Sequence, residues 1–150
     1  MRDEDFAVVT ELGEKAQKKA VKWLNAEFPT MKSVKGKVSG YDLIDDNGYK
    51  FEVKFDMLSK KTNNIAIEIR SNGFVSGLSV TTSDEWLHIF FYKNKWVYFR
   101  CKVLDLKRFV KSNFQYLQTT RGGYNNLSEM VLVPKEWVAE NFGTHNIDIV

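Results

Sequence analysis

The stretch Gly40-Tyr41-Asp42-Leu43-Ile44, followed after a short turn by Phe51-Glu52-Val53-Lys54-Phe55, decides the reading of this sequence. Side chains alternate faces along a strand, so Glu52 and Lys54 point one way while Phe51, Val53 and Phe55 point the other. Asp42 stands at the border of the preceding apolar segment. Two carboxylates and an ammonium converging on one side of a hairpin form a site for a hard cation, with a cationic group built in. The Val53 carbonyl lies beside them as a further oxygen donor. That donor set belongs to phosphodiester chemistry, which needs an activated water and charge stabilisation at phosphorus. The same Glu-x-Lys spacing also occurs as an ordinary ion pair on a solvated sheet face.

Working outward, residues 5–28 carry Leu12, Ala16, Ala20, Trp23 and Leu24 at helical spacing, and Pro29 ends the run. Lys15, Lys18, Lys19 and Lys22 occupy the remaining helix surface, as on a solvated face. Strands are expected over residues 34–44, 49–56 and 65–70, the first two joined through the hairpin signal Asn47-Gly48. In the third, Ile65, Ile67 and Ile69 share one face, and Glu68 lies on the other, beside the Glu52 site. Residues 82–85 read as a helix start or a short turn, with Thr82 or Ser83 as the cap. A hairpin turns around Asn94, a second amphipathic helix covers 104–113, a strand covers 130–133, and a closing helix covers 134–141 with Pro134 in its first turn. The four tryptophans, Trp23, Trp86, Trp96 and Trp137, read as core or cross-strand residues.

The 150 residues suit one domain, with 43% hydrophobic and 14% aromatic residues available for a core. A net charge of +3 permits a polyanionic partner without requiring one. The single cysteine, Cys101, excludes an intrachain disulfide and a multi-cysteine zinc site, and reads as a structural thiol. The N-terminal Met1-Arg2-Asp3-Glu4-Asp5 has no signal-peptide pattern, and no apolar run approaches a membrane span. The expectation is a soluble protein of the cytoplasm with no membrane partner. Lys60, Lys61, Asn63 and Asn64, and the polar loop expected at Arg121-Gly122-Gly123-Tyr124-Asn125-Asn126, have the basic, amide and glycine content that suits contact with a nucleic-acid backbone.

The order helix, strand with Asp, strand with Glu-x-Lys, further strand resembles the PD-(D/E)xK nuclease superfamily, which includes restriction endonucleases and Holliday junction resolvases. Gly13-Glu14-Lys15-Ala16-Gln17 resembles its first helix, Ser39-Gly40-Tyr41-Asp42-Leu43-Ile44 its Asp motif, with Tyr41 in place of the usual Pro, and Phe51-Glu52-Val53-Lys54 its Glu-x-Lys motif. A narrower likeness, to small phage-type members, runs through Thr62-Asn63-Asn64 to Glu68 and on to Ser83-Asp84-Glu85-Trp86. The resemblance implies an α/β (α+β) restriction-endonuclease-like αβββαβ core, a mixed central sheet flanked by helices. It implies a DNA endonuclease using Mg²⁺, with Mn²⁺ as substitute, on branched or recombination intermediates in a bacterial or phage-infected cell. Asp42, Glu52, the Val53 carbonyl and Glu68 then bind metal, and Lys54 serves the attacking water. The helix Glu of the resolvase-like members falls at Gln17, with Glu14 one turn earlier, so either completes the site. Symmetric cutting of two strands implies a homodimer. Two alternatives stay open: a nucleic-acid-binding module on the same fold with a degenerate metal site, and a protein–protein adaptor whose Glu-x-Lys is a salt bridge.

Overall fold

A computed structural model describes residues 3–34, 40–122 and 127–147, with side chains from residue 11 onward. The first helix, α1 (Asp3–Leu24), is amphipathic, and Ala16, Ala20 and Leu24 are its buried stripe. It ends four residues earlier than the sequence pattern reads, because residues 25–27 leave the helix as turns. The short β1 (Lys32–Ser33) and β2 (Leu43–Ile44) follow, and residues 35–39 of the expected first strand lie outside the described residues.

The turn into β3 (Lys50–Phe55) is built by Asp45, whose Oδ1 accepts hydrogen bonds from Asn47 N–H and Tyr49 N–H at 3.0 and 2.8 Å. Gly48 takes the positive φ of 82° that the turn needs. The register pairs Leu43 with Phe51, so these two side chains share a face and Asp42 falls on the other, with Glu52.

Next come a 3-10 turn (Met57–Lys60), β4 (Asn64–Ser71), β5 (Phe74–Val75) and a second 3-10 turn (Gly77–Ser79). The chain then enters β6 (Glu85–Tyr92) and β7 (Lys95–Lys102). Lys93 and Asn94, at φ 50° and 64°, make the tight hairpin turn between these two strands. Of the two readings of 82–85, the helix start does not form, and the chain bends at residue 84 into the strand. Thr81 and Ser83 spend their hydroxyls on the Gly40 carbonyl instead of capping, and the following Trp-Leu-His-Ile-Phe-Phe run favours a strand. The remainder is α2 (Val103–Asn113), β8 (Gln118–Gly122), β9 (Ser128–Pro134), α3 (Lys135–Phe142) and β10 (His145–Asn146). Arg121 and Gly122 therefore belong to a strand rather than a loop, while residues 123–126 of that segment lie outside the described residues.

The result is an α+β architecture with two sheets. The first, mixed, runs β1-β2-β3-β6-β7-β10, with β3 and β6 parallel. The second runs β5-β4-β9-β8 and is antiparallel. The third expected strand, β4, is thus not the neighbour of β3. Ile65 and Ile67 of β4, with Val131 and Val133 of its partner β9, make an apolar face that packs on Trp86, Phe90 and Phe99 of the first sheet. The place beside β3 goes to β6, which is buried from Glu85 through Phe90, as a strand covered on both faces must be.

α1 covers the opposite face of the first sheet, against Phe51, Val53, Leu87 and Ile89. α2 and α3 close the side of the second sheet through Leu106, Val110 and Val138. All four tryptophans sit in or against these two cores, as their spacing predicts. Among the described residues, no helix is long and apolar enough to cross a membrane.

Candidate active site

Glu52 and Lys54 lie in register with Trp86 and His88 of β6, so they face the side of the first sheet that receives the second sheet. Lys54 Nζ is 3.1 Å from Glu52 Oε1 and 5.8 Å from the centre of the Trp86 ring. The Glu52 side chain is 13% exposed and that of Lys54 38% exposed, so their pair is shielded on one side and reachable on the other.

Asp42 joins them through the backbone. Its N–H donates to the Phe51 carbonyl, and its Oδ2 accepts from Val53 N–H at 2.8 Å. Val53 therefore contributes its N–H to the site, holding the Asp42 carboxylate, while its side chain belongs to the core under α1. The Gly40 carbonyl fixes the approach to Asp42, accepting from Thr81 Oγ1, Ser83 Oγ and Thr82 N–H at 2.7, 2.8 and 3.1 Å.

Burial and neighbouring charges act against each other in this cluster. Burial raises the Asp42 pKa above its ordinary value, against the Val53 hydrogen bond and the Lys54 charge, which lower it. Burial also raises Glu52, opposed by Lys54 and reinforced by Asp42 and Glu68. A hydrogen bond to a charged group contributes roughly 1.5–3 kcal/mol, and removing a carboxylate from water costs several, so desolvation wins. For Lys54, burial works downward, but Glu52 and Asp42 outweigh it and raise the pKa overall. Lys54 thus lies in the field of Glu52, which it touches, and of Asp42 and Glu68.

Glu68 enters this field from the second sheet, although β4 is no neighbour of β3. A β-bulge between Glu68 and Arg70 turns the strand there, and Ser128 Oγ donates to Glu68 Oε1 at 2.6 Å. Glu14 is exposed and Gln17 half-buried on α1, and the buried stripe of α1 packs on the Phe51–Val53 face. Among the described residues, no hydrogen bond or ion pair links either to Asp42 or Glu52, and no three His, Cys, Asp or Glu side chains stand together closely enough to hold a metal.

Lys60, Lys61 and Asn63 are exposed just beyond β3, with Lys60 Nζ 5.4 Å from the Phe91 ring centre. Asn64 opens β4, half-buried, and Arg121 is exposed on β8, an outer strand of the second sheet. Cys101 is half-buried against the core between the two sheets, and burial pushes its thiol up to about 12, as befits an inert structural thiol.

A buried network beneath the site escaped the sequence reading. Asp56 Oδ2 accepts from Ala66 N–H at 2.8 Å and lies 3.0 Å from His88 Nε2. Trp86 Nε1–H donates to His88 Nδ1 at 3.1 Å, which leaves the His88 proton on Nε2, facing Asp56. Asp56 Oδ1 also accepts from Ser59 N–H, and Lys135 Nζ donates to the Ser59 carbonyl. Asp56 thereby ties β3, β4 and β6 together directly behind Lys54. The sequence signal was a polar residue ending an apolar strand and a histidine inside another, both common in ordinary cores.

No protein-family model matches this sequence, and no curated protein matches it.

Proposed function

We propose that this chain is a metal-dependent phosphodiesterase acting on DNA, an endonuclease of the PD-(D/E)xK type. The observation that carries the reading is the meeting of Asp42, Glu52 and Lys54 on one face of the β2–β3 hairpin, with both carboxylates pushed up by burial and only one ammonium among them. The order α1, β1, β2, β3, with β6 parallel to β3 and α1 on the opposite face, supports a restriction-endonuclease-like core. In that core a helix makes the crossover after the Glu-x-Lys strand, whereas here β4, β5 and two 3-10 turns make it.

Asp42 and Glu52 are the residues that would hold Mg²⁺ or Mn²⁺. When bound, the ion supplies Lewis acidity toward the phosphate and lowers the pKa of water. Lys54, its pKa raised, stays an ammonium at neutral pH. It therefore donates a hydrogen bond and positive charge to the attacked phosphate or the attacking water rather than removing a proton. Lys60, Lys61, Asn63, Asn64 and Arg121 are proposed backbone contacts, a role that weakens steeply with salt.

The test is incubation of the protein with labelled linear, nicked, flap and four-way DNA, with Mg²⁺, Mn²⁺ or chelator. Cleavage should need the metal and vanish in Asp42→Asn and Lys54→Met. Cleavage of equal rate in those variants would sink the proposal. A second reading, a DNA-binding module that does not cut, is favoured by the solvent-exposed placement of Glu14 and the absence of a third close carboxylate among the described residues. Calorimetric titration with Mn²⁺ separates the two, since a module with a degenerate site shows no saturable uptake.

A further inference from the structure

Arg70, Lys107 and Lys111 stand around an apolar groove of about 560 Å³ between the end of β4 and α2, and none of the three forms an ion pair among the described residues. One wall is Ile69, Val75 and Leu78, from the bulge, β5 and the second 3-10 turn. The other is the end of α2, where Lys107, Val110, Lys111 and Phe114 fall at i, i+3, i+4 and i+7 and so share one stripe of the helix. Among the described residues no acidic side chain lines the groove, and neither do Asp42, Glu52 or Lys54. Lys107 and Lys111, with Arg70 opposite Glu129 across the β4–β9 ladder, give the apolar floor a basic rim complementary to a ligand with an apolar body and acidic flanks.

We propose that this groove docks a segment of a partner protein in which apolar side chains alternate with Asp or Glu. A nucleic acid fits less well. Single strands are held by stacking on aromatic faces, while the floor here is aliphatic apart from Phe114. A small ligand fits less well too, because small-ligand sites enclose most of their occupant, whereas Val75 is 61% exposed and Phe114 45%. Val75 lies on β5, the outermost strand of its sheet. A peptide laid along the groove removes Val75 and Phe114 from water while its carboxylates meet Arg70, Lys107 and Lys111.

The experiment is fluorescence anisotropy with a labelled synthetic peptide alternating Leu and Glu, beside a Leu–Lys peptide, a Ser–Glu peptide and a labelled single-stranded oligonucleotide. The Leu–Glu peptide should bind saturably and at least about tenfold more tightly than the other two peptides. The double variant Lys107→Glu/Lys111→Glu should weaken it by about tenfold or more, and Val75→Ser by several-fold, both with unchanged circular dichroism. Asp42→Asn should leave peptide affinity unchanged, so this docking stands or falls apart from the hydrolytic proposal. The inference is overturned if the Ser–Glu peptide binds equally well, if no peptide saturates, or if the oligonucleotide binds more tightly than the peptide and loses that binding in the double variant.

Discussion

The Asp42 carboxylate is held by the N–H of Val53, 2.8 Å away, the residue that separates Glu52 from Lys54. One oxygen of Asp42 is thereby tied to the strand that carries its two partners. The cluster does not depend on the rotamers of three independent side chains, because the hairpin backbone sets the placement of Asp42 relative to Glu52. A hydrogen bond of this kind also opposes the burial that raises the Asp42 pKa.

That balance gives a stability prediction. Asp42 and Glu52 have folded-state pKa values above their unfolded ones. Their contribution favours the fold below the unfolded carboxylate pKa and is lost as pH rises through the folded one, so near neutral pH both ionised groups work against folding. Asp42→Asn, which can still accept from Val53 N–H, should raise the melting temperature by about 2–4 °C at pH 7 in chelator. The gain should disappear near pH 3, where the parent carboxyls are protonated. Mg²⁺ should stabilise the parent at pH 7 and not the variant. Differential scanning calorimetry at the two pH values, with and without Mg²⁺, checks all three.

Lys54→Met removes the one cation that pairs with Glu52 among the described residues while keeping most of the side-chain volume. The Glu52 carboxyl should then titrate at higher pH than in the parent, since Lys54 is what lowers it. Carboxyl-detected NMR titration measures this directly. A Glu52 titration that does not move would mean the 3.1 Å contact is not maintained in solution.

Gly40 has φ +100°, and a Cβ there would lie 2.5 Å from Thr82 Oγ1 and 3.0 Å from Thr82 N. Gly40→Ala should cost about 1–3 kcal/mol in urea unfolding. It should also loosen the three hydrogen bonds on the Gly40 carbonyl and so displace Asp42, two residues on. DNA cleavage should fall more than tenfold in the folded variant, and adding Thr82→Ala should recover only the part of the loss due to the Thr82 side chain, because the positive φ and the 3.0 Å approach to Thr82 N remain.

Asp56 is the most sensitive position outside the cluster. Asp56→Ala would leave Ala66 N–H and His88 Nε2 without their acceptor in the space between the sheets, while Ser59 N–H would keep the residue 56 carbonyl. Buried donors left unpaired cost about 1–3 kcal/mol each, so a loss of at least about 2 kcal/mol is expected in denaturant unfolding. His88, 1% exposed, should show one tautomer, protonated at Nε2, in nitrogen-detected NMR of the parent.

Much of the local structure could be read in the sequence because it is set by neighbours a few residues apart. The period-two alternation through Phe51–Phe55 puts Glu52 and Lys54 on one face, and the fold keeps them there. Asn47-Gly48 and Lys93-Asn94 make their turns, and the apolar stripes of α1, α2 and α3 meet their cores. The helix start read at 82–85 failed because Thr81 and Ser83 have a distant competitor for their hydroxyls, the Gly40 carbonyl.

What the sequence by itself determined is therefore the composition of each surface: an acidic pair with a lysine on one strand face, an isoleucine ridge on β4, a single inert cysteine. Tertiary structure alone decided which surfaces meet. The alternating pattern of β4 satisfies any sheet equally well, and only its pairing with β9 carries it into the second sheet. That choice creates the Asp56–His88–Trp86 network, brings Glu68 into the field of Glu52, and opens the groove beside α2. Each joins residues distant in the chain, and strand periodicity carries no information about which strand will be the partner.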